Sequence, residues 1–407
     1  MNKKSYVKAK DKKISRRNFL KKTAVASGVA LISASTGPFV LKTLAKGPIK
    51  VGLLTPLSGV VSTDGTGMLY GTKLWEKEIN ESGGLLGREV KLLVEDTESE
   101  TKISREKAKR LLAKRVDVIF GVILSSTRNA LASVIRDAGK LLIYPTFYEG
   151  GVCDKSIFFT GAVPAQAVDR YVPWIIEKYG PKFYYAGSDY VFPKKMFERA
   201  KEVMVKHGGT AVKEEYVALG TTEFSSLINR ISAAKPDVLF ESVVGRDGVT
   251  FSKQFYNYGL ANIIQQCSIV KLETHMEGVG AEAGEGILTS HPYFQVIDTP
   301  KNKKFVADFQ KIAGKKFPLT TNTEGMYIGA HLWALAVKKA KSTETDKVRT
   351  AMWDLEWEAP EGPVKVRKGD QHLWKQSRIA QYRNGKLEIV KSFGLIPPGP
   401  DICHLWG

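Results

Sequence analysis

Four short stretches of the chain combine hydroxyl side chains, aromatic rings and turn-forming residues. They are Thr55-Pro56-Leu57-Ser58-Gly59, Leu124-Ser125-Ser126-Thr127, Tyr144-Pro145-Thr146-Phe147-Tyr148-Glu149 and Gly187-Ser188-Asp189-Tyr190-Val191-Phe192. A hydroxyl can donate and accept hydrogen bonds, and a tyrosine or phenylalanine ring can wall in a small molecule. The chemistry on offer is recognition of a small polar solute by a few directional bonds. Bond-breaking machinery is missing. There is no Gly-x-Ser-x-Gly elbow and no Gly-Lys-Ser/Thr phosphate loop. The glycines of 65–71 have the wrong spacing and lie well past their strand, and those of 83–87 follow a helix, so neither run fits a dinucleotide loop. Each hydroxyl segment also has a plain structural use as a helix cap, at Ser125, Ser126 or Asp189. Recurrence of the pattern at four equivalent places favours binding.

The six histidines (207, 275, 291, 331, 372 and 404) and three cysteines (153, 267 and 403) are scattered, with no metal-ligand spacing. No cofactor and no metal are expected. At most one cysteine pair can bridge, leaving one thiol over.

The elements that position these loops are legible from periodicity. Apolar runs at Ile49 to Pro56, Val90 to Val94, Val116 to Val122 and Lys140 to Tyr144 alternate with helical spacing over 66–81, 100–115 and 126–138. Short buried strands alternating with helices predict βαβ units and parallel sheets covered on both faces. The alternation then begins again. Helices at 165–179, 191–207, 224–234 and 248–258 lead to strands at 182–186, 211–217, 237–240 and 267–270. The predicted fold class is therefore α/β, with two doubly wound, Rossmann-like lobes. Gly161 to Pro164 reads as one passage between them and Ser290 to Tyr293 as a second. In sheets of this kind a ligand binds beyond the carboxyl ends of the strands, where loops feed helix amino termini. The four hydroxyl-bearing stretches fall there. The candidate residues from these loops are Ser58, Ser125, Ser126, Tyr144, Thr146, Tyr148, Tyr190 and Phe192.

The first 46 residues read differently. Ser15-Arg16-Arg17-Asn18-Phe19-Leu20 follows a lysine-rich stretch and precedes a short apolar run from Ala24 to Ala34. A basic segment, a short apolar segment and a small-residue exit describe an export signal, and the arginine pair is of the twin-arginine type. No run approaches the ~18 apolar residues of a membrane span. The formal charge of +19 belongs largely to this segment, which carries +11 and leaves +8 for the rest. Basic residues in that remainder sit beside acidic ones, so a nucleic-acid partner is not expected.

Several motifs together carry a resemblance: Thr55 to Gly59, Tyr144-Pro145-Thr146 with Tyr148-Glu149-Gly150, Gly187 to Pro193, Ile297-Asp298-Thr299-Pro300 and Ala359 to Val364. The chain resembles, from about 49 to 400, the amide- and urea-type branch of the type I periplasmic binding proteins, within the wider branched-chain amino-acid binding family. The resemblance implies three hinge crossovers and lobes built from 47–163, 164–290, 291–358 and 359–407. It implies a periplasmic, non-enzymatic carrier that hands a small polar ligand such as urea or a short amide to the membrane permease subunits of an ABC importer. The alternatives are a branched-chain or other amino-acid binding protein, or a periplasmic sensor of the same fold. It further implies that the ligand lies between Ser125, Tyr144, Thr146 and Tyr190, with the neighbourhood of Glu273 facing them. An amino acid would need an acid for its ammonium, and Glu273 is the expected one unless Lys271 or Arg246 neutralises it. The chain departs from the branch at Ile123, Phe192, Lys271 and His275.

Overall fold

The computed structural model describes residues 47–399. The first 46 residues, where an export signal is expected, and Cys403 and His404 lie outside these residues. In the first lobe, β1 (Ile49–Thr55) pairs in parallel with β2 (Val90–Asp96), Ile49 opposite Val90. On its other side it pairs with β3 (Val118–Gly121), Val51 opposite Val118. β4 (Leu142–Tyr144) and β5 (Ile157–Phe159) complete a parallel sheet of order β2-β1-β3-β4-β5. The crossovers α1 (Ser62–Glu81), α2 (Thr101–Ala113) and α3 (Ser125–Asp137) cover its faces. All four residues of β3 are buried, which explains its unbroken apolar sequence.

After β5 the chain enters α4 (Pro164–Tyr179), whose leading Pro164 occupies the first turn, where no N–H is needed. The second lobe then repeats the first. β6 (Lys182–Ser188), α5 (Val191–Lys206), β7 (Thr210–Val217), α6 (Ser225–Ala234), β8 (Val238–Ser242) and α7 (Gly245–Asn257) follow in turn. β9 (Gln265–Ser268), α8 (Glu273–Val279), α9 (Ala281–Gly284) and β10 (Leu288–His291) close the series. Its parallel strands run β7-β6-β8-β9-β10, the same winding as the first sheet. The two doubly wound lobes expected from the alternation are present.

From β10 the chain returns to the first lobe as α10 (Pro300–Ala313), α11 (Thr321–Ala340) and α12 (Thr345–Met352). Fifteen of the twenty residues of α11 are buried, so it shows no amphipathic stripe to betray it in the sequence. Its Trp333 meets Trp75 of α1 and Phe120 of β3 edge to face, with ring centres 6.3 and 5.9 Å apart. Gly325 and Gly329 let the helix approach β4. A Cβ at Gly325 would lie 2.5 Å from Pro145 O, and one at Gly329 2.4 Å from Ile143 Cγ2. Alanine at either would push α11, and the residues on its first turn, off the sheet.

The hairpin β11 (Glu356–Ala359) and β12 (Gly362–Val366) still packs in the first lobe's core through Ala359, Val364 and Val366. β13 (Leu373–Arg383) carries the chain back to pair antiparallel with β10, and β14 (Lys386–Ile396) pairs with β13. Where β13 begins the two sheets touch. Phe159 N–H of β5 donates to Gln371 O at 2.9 Å, and the rings of Tyr148, Phe159 and His372 stack with centres 4.7 and 4.4 Å apart. Cys153 is disulfide-bonded and Cys267 is a buried free thiol. Among the described residues no helix is long and apolar enough to cross a membrane.

Candidate ligand-binding site

Both sheets have the winding in which the crossovers flanking the second strand in spatial order depart to opposite faces. That leaves a crevice beyond the carboxyl ends of the strands. The crevices of the two lobes face each other across a cavity. From the first lobe it is lined by Val61 and Asp64 after β1, Ile123 to Ser125 after β3, and Thr146 and Phe147 after β4. The second lobe answers from corresponding places: Tyr190 and Phe192 after β6, Val244 and Gly245 after β8, and Val270, Leu272 and His275 after β9. Asn322, on the first turn of α11, completes the lining.

Helix starts therefore converge on the cavity. Val61, Leu124, Tyr190 and Val244 are the N-cap residues of α1, α3, α5 and α7, and none carries a capping side-chain bond. First-turn amides without a side-chain cap can serve other acceptors, as Ser62 N–H of α1 serves Gly59 O and Arg246 N–H of α7 serves Val60 O, and helix starts set a positive potential. The walls between them are apolar and aromatic. Phe192 lies against Phe147 and Tyr190, with ring centres 5.7 and 6.2 Å away.

Behind Ser125 lies a buried charge pair. Arg128 Nη2 meets Glu149 Oε1 at 2.7 Å with neither side chain more than 5% exposed, and Ser125 Oγ donates to Glu149 Oε2 at 2.6 Å. The guanidinium sits 5.0 and 4.5 Å from the ring centres of Tyr144 and Tyr148. Thr146 Oγ1 donates to Val122 O at 3.0 Å. Burial pushes the Tyr144 hydroxyl up to about 12 and that of Tyr190 well above its ordinary value, so both stay protonated.

The lobes touch around this cavity. Thr274 Oγ1 donates to Asp64 Oδ1 at 3.3 Å, and His275 Nε2 stands 3.2 Å from Asp64 Oδ2, off the hydrogen-bonding direction. Beside them Arg246 N–H reaches Val60 O and its guanidinium reaches Gly59 O, each at 3.3 Å. The cleft is closed.

Ser125, Thr146, Tyr190 and Phe192, expected from the sequence, come together in the lining. Five other expected residues do not reach it. Ser58 is exposed and donates to Asp96 Oδ2 at 2.9 Å, because the loop after β1 folds toward the end of β2. Ser126 is one position further round α3 than Ser125 and turns away. Tyr144 and Tyr148 are wholly buried behind the wall, their hydroxyls bound to Ile123 O at 2.8 Å and to His372 Nε2 at 2.5 Å. Glu273 turns from the cavity to accept Gln295 N–H at 2.8 Å, and burial, reinforced by the charge of Asp64, raises its carboxyl to about 7. Lys271 does not neutralise it, since its ammonium pairs with Glu241 at 3.0 Å.

Asp64, His275 and Asn322 escaped the sequence reading, as did the pair beneath Ser125. Asp64 had a usable signal, an acid on the first turn after β1. Asn322 had none, because it arrives from a remote helix.

Residues 49–400 match the family model described as Periplasmic binding protein domain. The Leu/Ile/Val-binding protein BraC3 of Rhizobium johnstonii is 24% identical over 333 residues, covering 80% of this chain and 89% of that one. A solute binding protein of an ABC transporter from Rhodopseudomonas palustris HaA2, solved with p-hydroxybenzoic acid, is similar in fold at a TM-score of 0.81 and 24% identity, over 86% of this chain and 98% of the other. A leucine binding protein from Thermotoga maritima is similar at 0.77 and 18% identity, over 85% and 99%.

Proposed function

The chain belongs to the periplasmic binding protein domain family, and from that premise we propose that it is the solute-binding component of an ABC importer, a carrier and not an enzyme. One observation supports the reading above the others: uncapped helix starts from both lobes meet across a closed cavity that also holds Asp64 and Asn322. Amides at a helix start suit a carboxylate or carbonyl oxygen. Asp64 offers a counter-charge to an ammonium, and Phe147, Phe192, Val270 and Leu272 offer a surface to a hydrocarbon group. The solute proposed is a small α-amino acid with an apolar side chain, in keeping with the Leu/Ile/Val-binding name of the relative.

A short amide or urea is the second reading, favoured by the hydroxyls of Ser125 and Thr146 and by the amide-branch motifs around Tyr144 and Tyr190. The ligand grips both lobes only when they meet, so binding draws the protein into the closed form, and the permease reads that form. Export by the twin-arginine route would deliver the protein to the periplasm already folded.

The test is a thermal-shift screen of the mature protein against L-leucine, L-valine, acetamide, urea and 4-hydroxybenzoate. A ligand at a hundred times its Kd stabilises by about 2.7 kcal/mol, a shift of several degrees. Silence from the whole set at millimolar concentration would remove the proposal.

A further inference from the structure

Ser125 and Thr146 meet the cavity with hydroxyl protons that are already committed. The Ser125 proton goes to Glu149 Oε2 at 2.6 Å, a length typical of an O–H bond to a charged acceptor. Glu149 cannot turn away, because its other oxygen is held by the buried Arg128, which also donates to Asn129 Oδ1 at 2.9 Å. The Thr146 proton goes to Val122 O. A hydroxyl has one proton and two lone pairs; Ser125 Oγ also accepts Arg128 Nη1 at 3.4 Å, which leaves it one lone pair, so toward the cavity each of these groups can only accept. The carboxylate of Asp64 adds a further acceptor, and Asn322, 2% exposed, brings an amide whose Oδ1 has no partner and whose NH2 can donate.

We propose that Glu149 is a specificity-determining residue. By holding the Ser125 proton it makes the first-lobe wall an acceptor surface, which selects solutes that bring N–H donors, an ammonium or a primary amide, over acids that bring oxygen alone. The inference rests on the solute-capture reading and narrows it. The oxygen end of such a solute goes to the first-turn amides of α3, and its nitrogen end to Ser125, Thr146, Asn322 and Asp64. An acid laid the other way would set lone pair against lone pair in a site shielded from water, where unmade hydrogen bonds are expensive.

Two matched pairs test this by titration calorimetry on the mature protein: benzamide against benzoate, and L-leucine against 4-methylpentanoate, its skeleton without the amino group. The N–H-bearing member should bind at least ~10-fold tighter in each pair that binds. Glu149→Gln can donate to Ser125 Oγ and release the hydroxyl proton into the cavity, so the preference should shrink. Should that variant fail to fold, Ser125→Ala carries the test, since it should weaken the amide or amino acid ~10-fold and leave the acids unchanged. Equal or tighter binding of benzoate and 4-methylpentanoate, or weakening of the acids by Ser125→Ala, overturns the proposal and leaves solute capture standing. Silence from all four probes and from the thermal-shift set overturns solute capture and this proposal with it.

Discussion

Gly245→Ala separates closure of the lobes from folding of either one. Gly245 begins α7 in the second lobe with φ +59°, and a Cβ there would lie 2.3 Å from Val60 O and 3.3 Å from Val61 Cγ1 of the first lobe. The two costs of the substitution fall on different states. The left-handed backbone costs alanine roughly 1 kcal/mol whether the cleft is open or shut. The clash exists only when the lobes meet. A carbonyl so near must retreat by about 1 Å, an overpacking cost of about 1–3 kcal/mol, and the 3.3 Å bond from Arg246 N–H to the same carbonyl weakens with it. Because closure is part of binding, that cost enters the affinity directly, a loss of roughly 10–100-fold. The unliganded protein should melt only a few degrees lower. Calorimetry with the best ligand of the screen reads the first effect and a melting curve without ligand the second. Undiminished affinity would mean that Gly245 and Val60 do not meet in the liganded protein, and the reasoning would be wrong.

Burial raises Glu273 from 4.5 to about 7, so the folded protein keeps a proton that the unfolded chain releases. Its contribution to stability is complete below about pH 4.5 and is lost as the pH rises through 7. With allowance for the partial exposure of the residue, Glu273→Gln should be about 1–2 kcal/mol more stable than the parent at pH 8 and no more stable at pH 4, by urea titration. Arg128→Met leaves Glu149 buried without its cation and should cost about 3–5 kcal/mol in the same assay, much of it restored by adding Glu149→Gln. Cys267 is fully buried and burial pushes its thiol far up, so iodoacetamide should label it in urea and not in the native protein.

The fold was legible where burial imposes a period. Met196, Phe197, Ala200, Val203 and Met204 mark one face of α5, and the branched run Ile49 to Leu54 marks β1. It was illegible where burial is uniform or the element is short. α11 is apolar nearly all round, and three-residue β5 carries no pattern of its own. Four residues of the cavity lining could be expected because the winding of an α/β sheet says where a crevice opens. Which side of a loop faces the ligand is a tertiary fact. Tyr144 and Tyr148 flank the guanidinium of Arg128 on the far side of the wall, a use of tyrosine that the residue type does not distinguish from ligand contact. The acceptor character of Ser125 depends on Glu149, 24 residues away, a pairing that only the folded chain creates.

A solute that bridges the cleft draws the two lobes together. Lys315 of the first lobe and Glu277 of the second are exposed and border the same groove at the mouth of the cleft. Spin labels on Lys315→Cys and Glu277→Cys report the separation of the lobes directly, by electron–electron distance measurement. A broad distribution without ligand should collapse to a single short distance when the strongest ligand of the screen is added. The same distribution with and without saturating ligand would mean that the solute does not draw the lobes together.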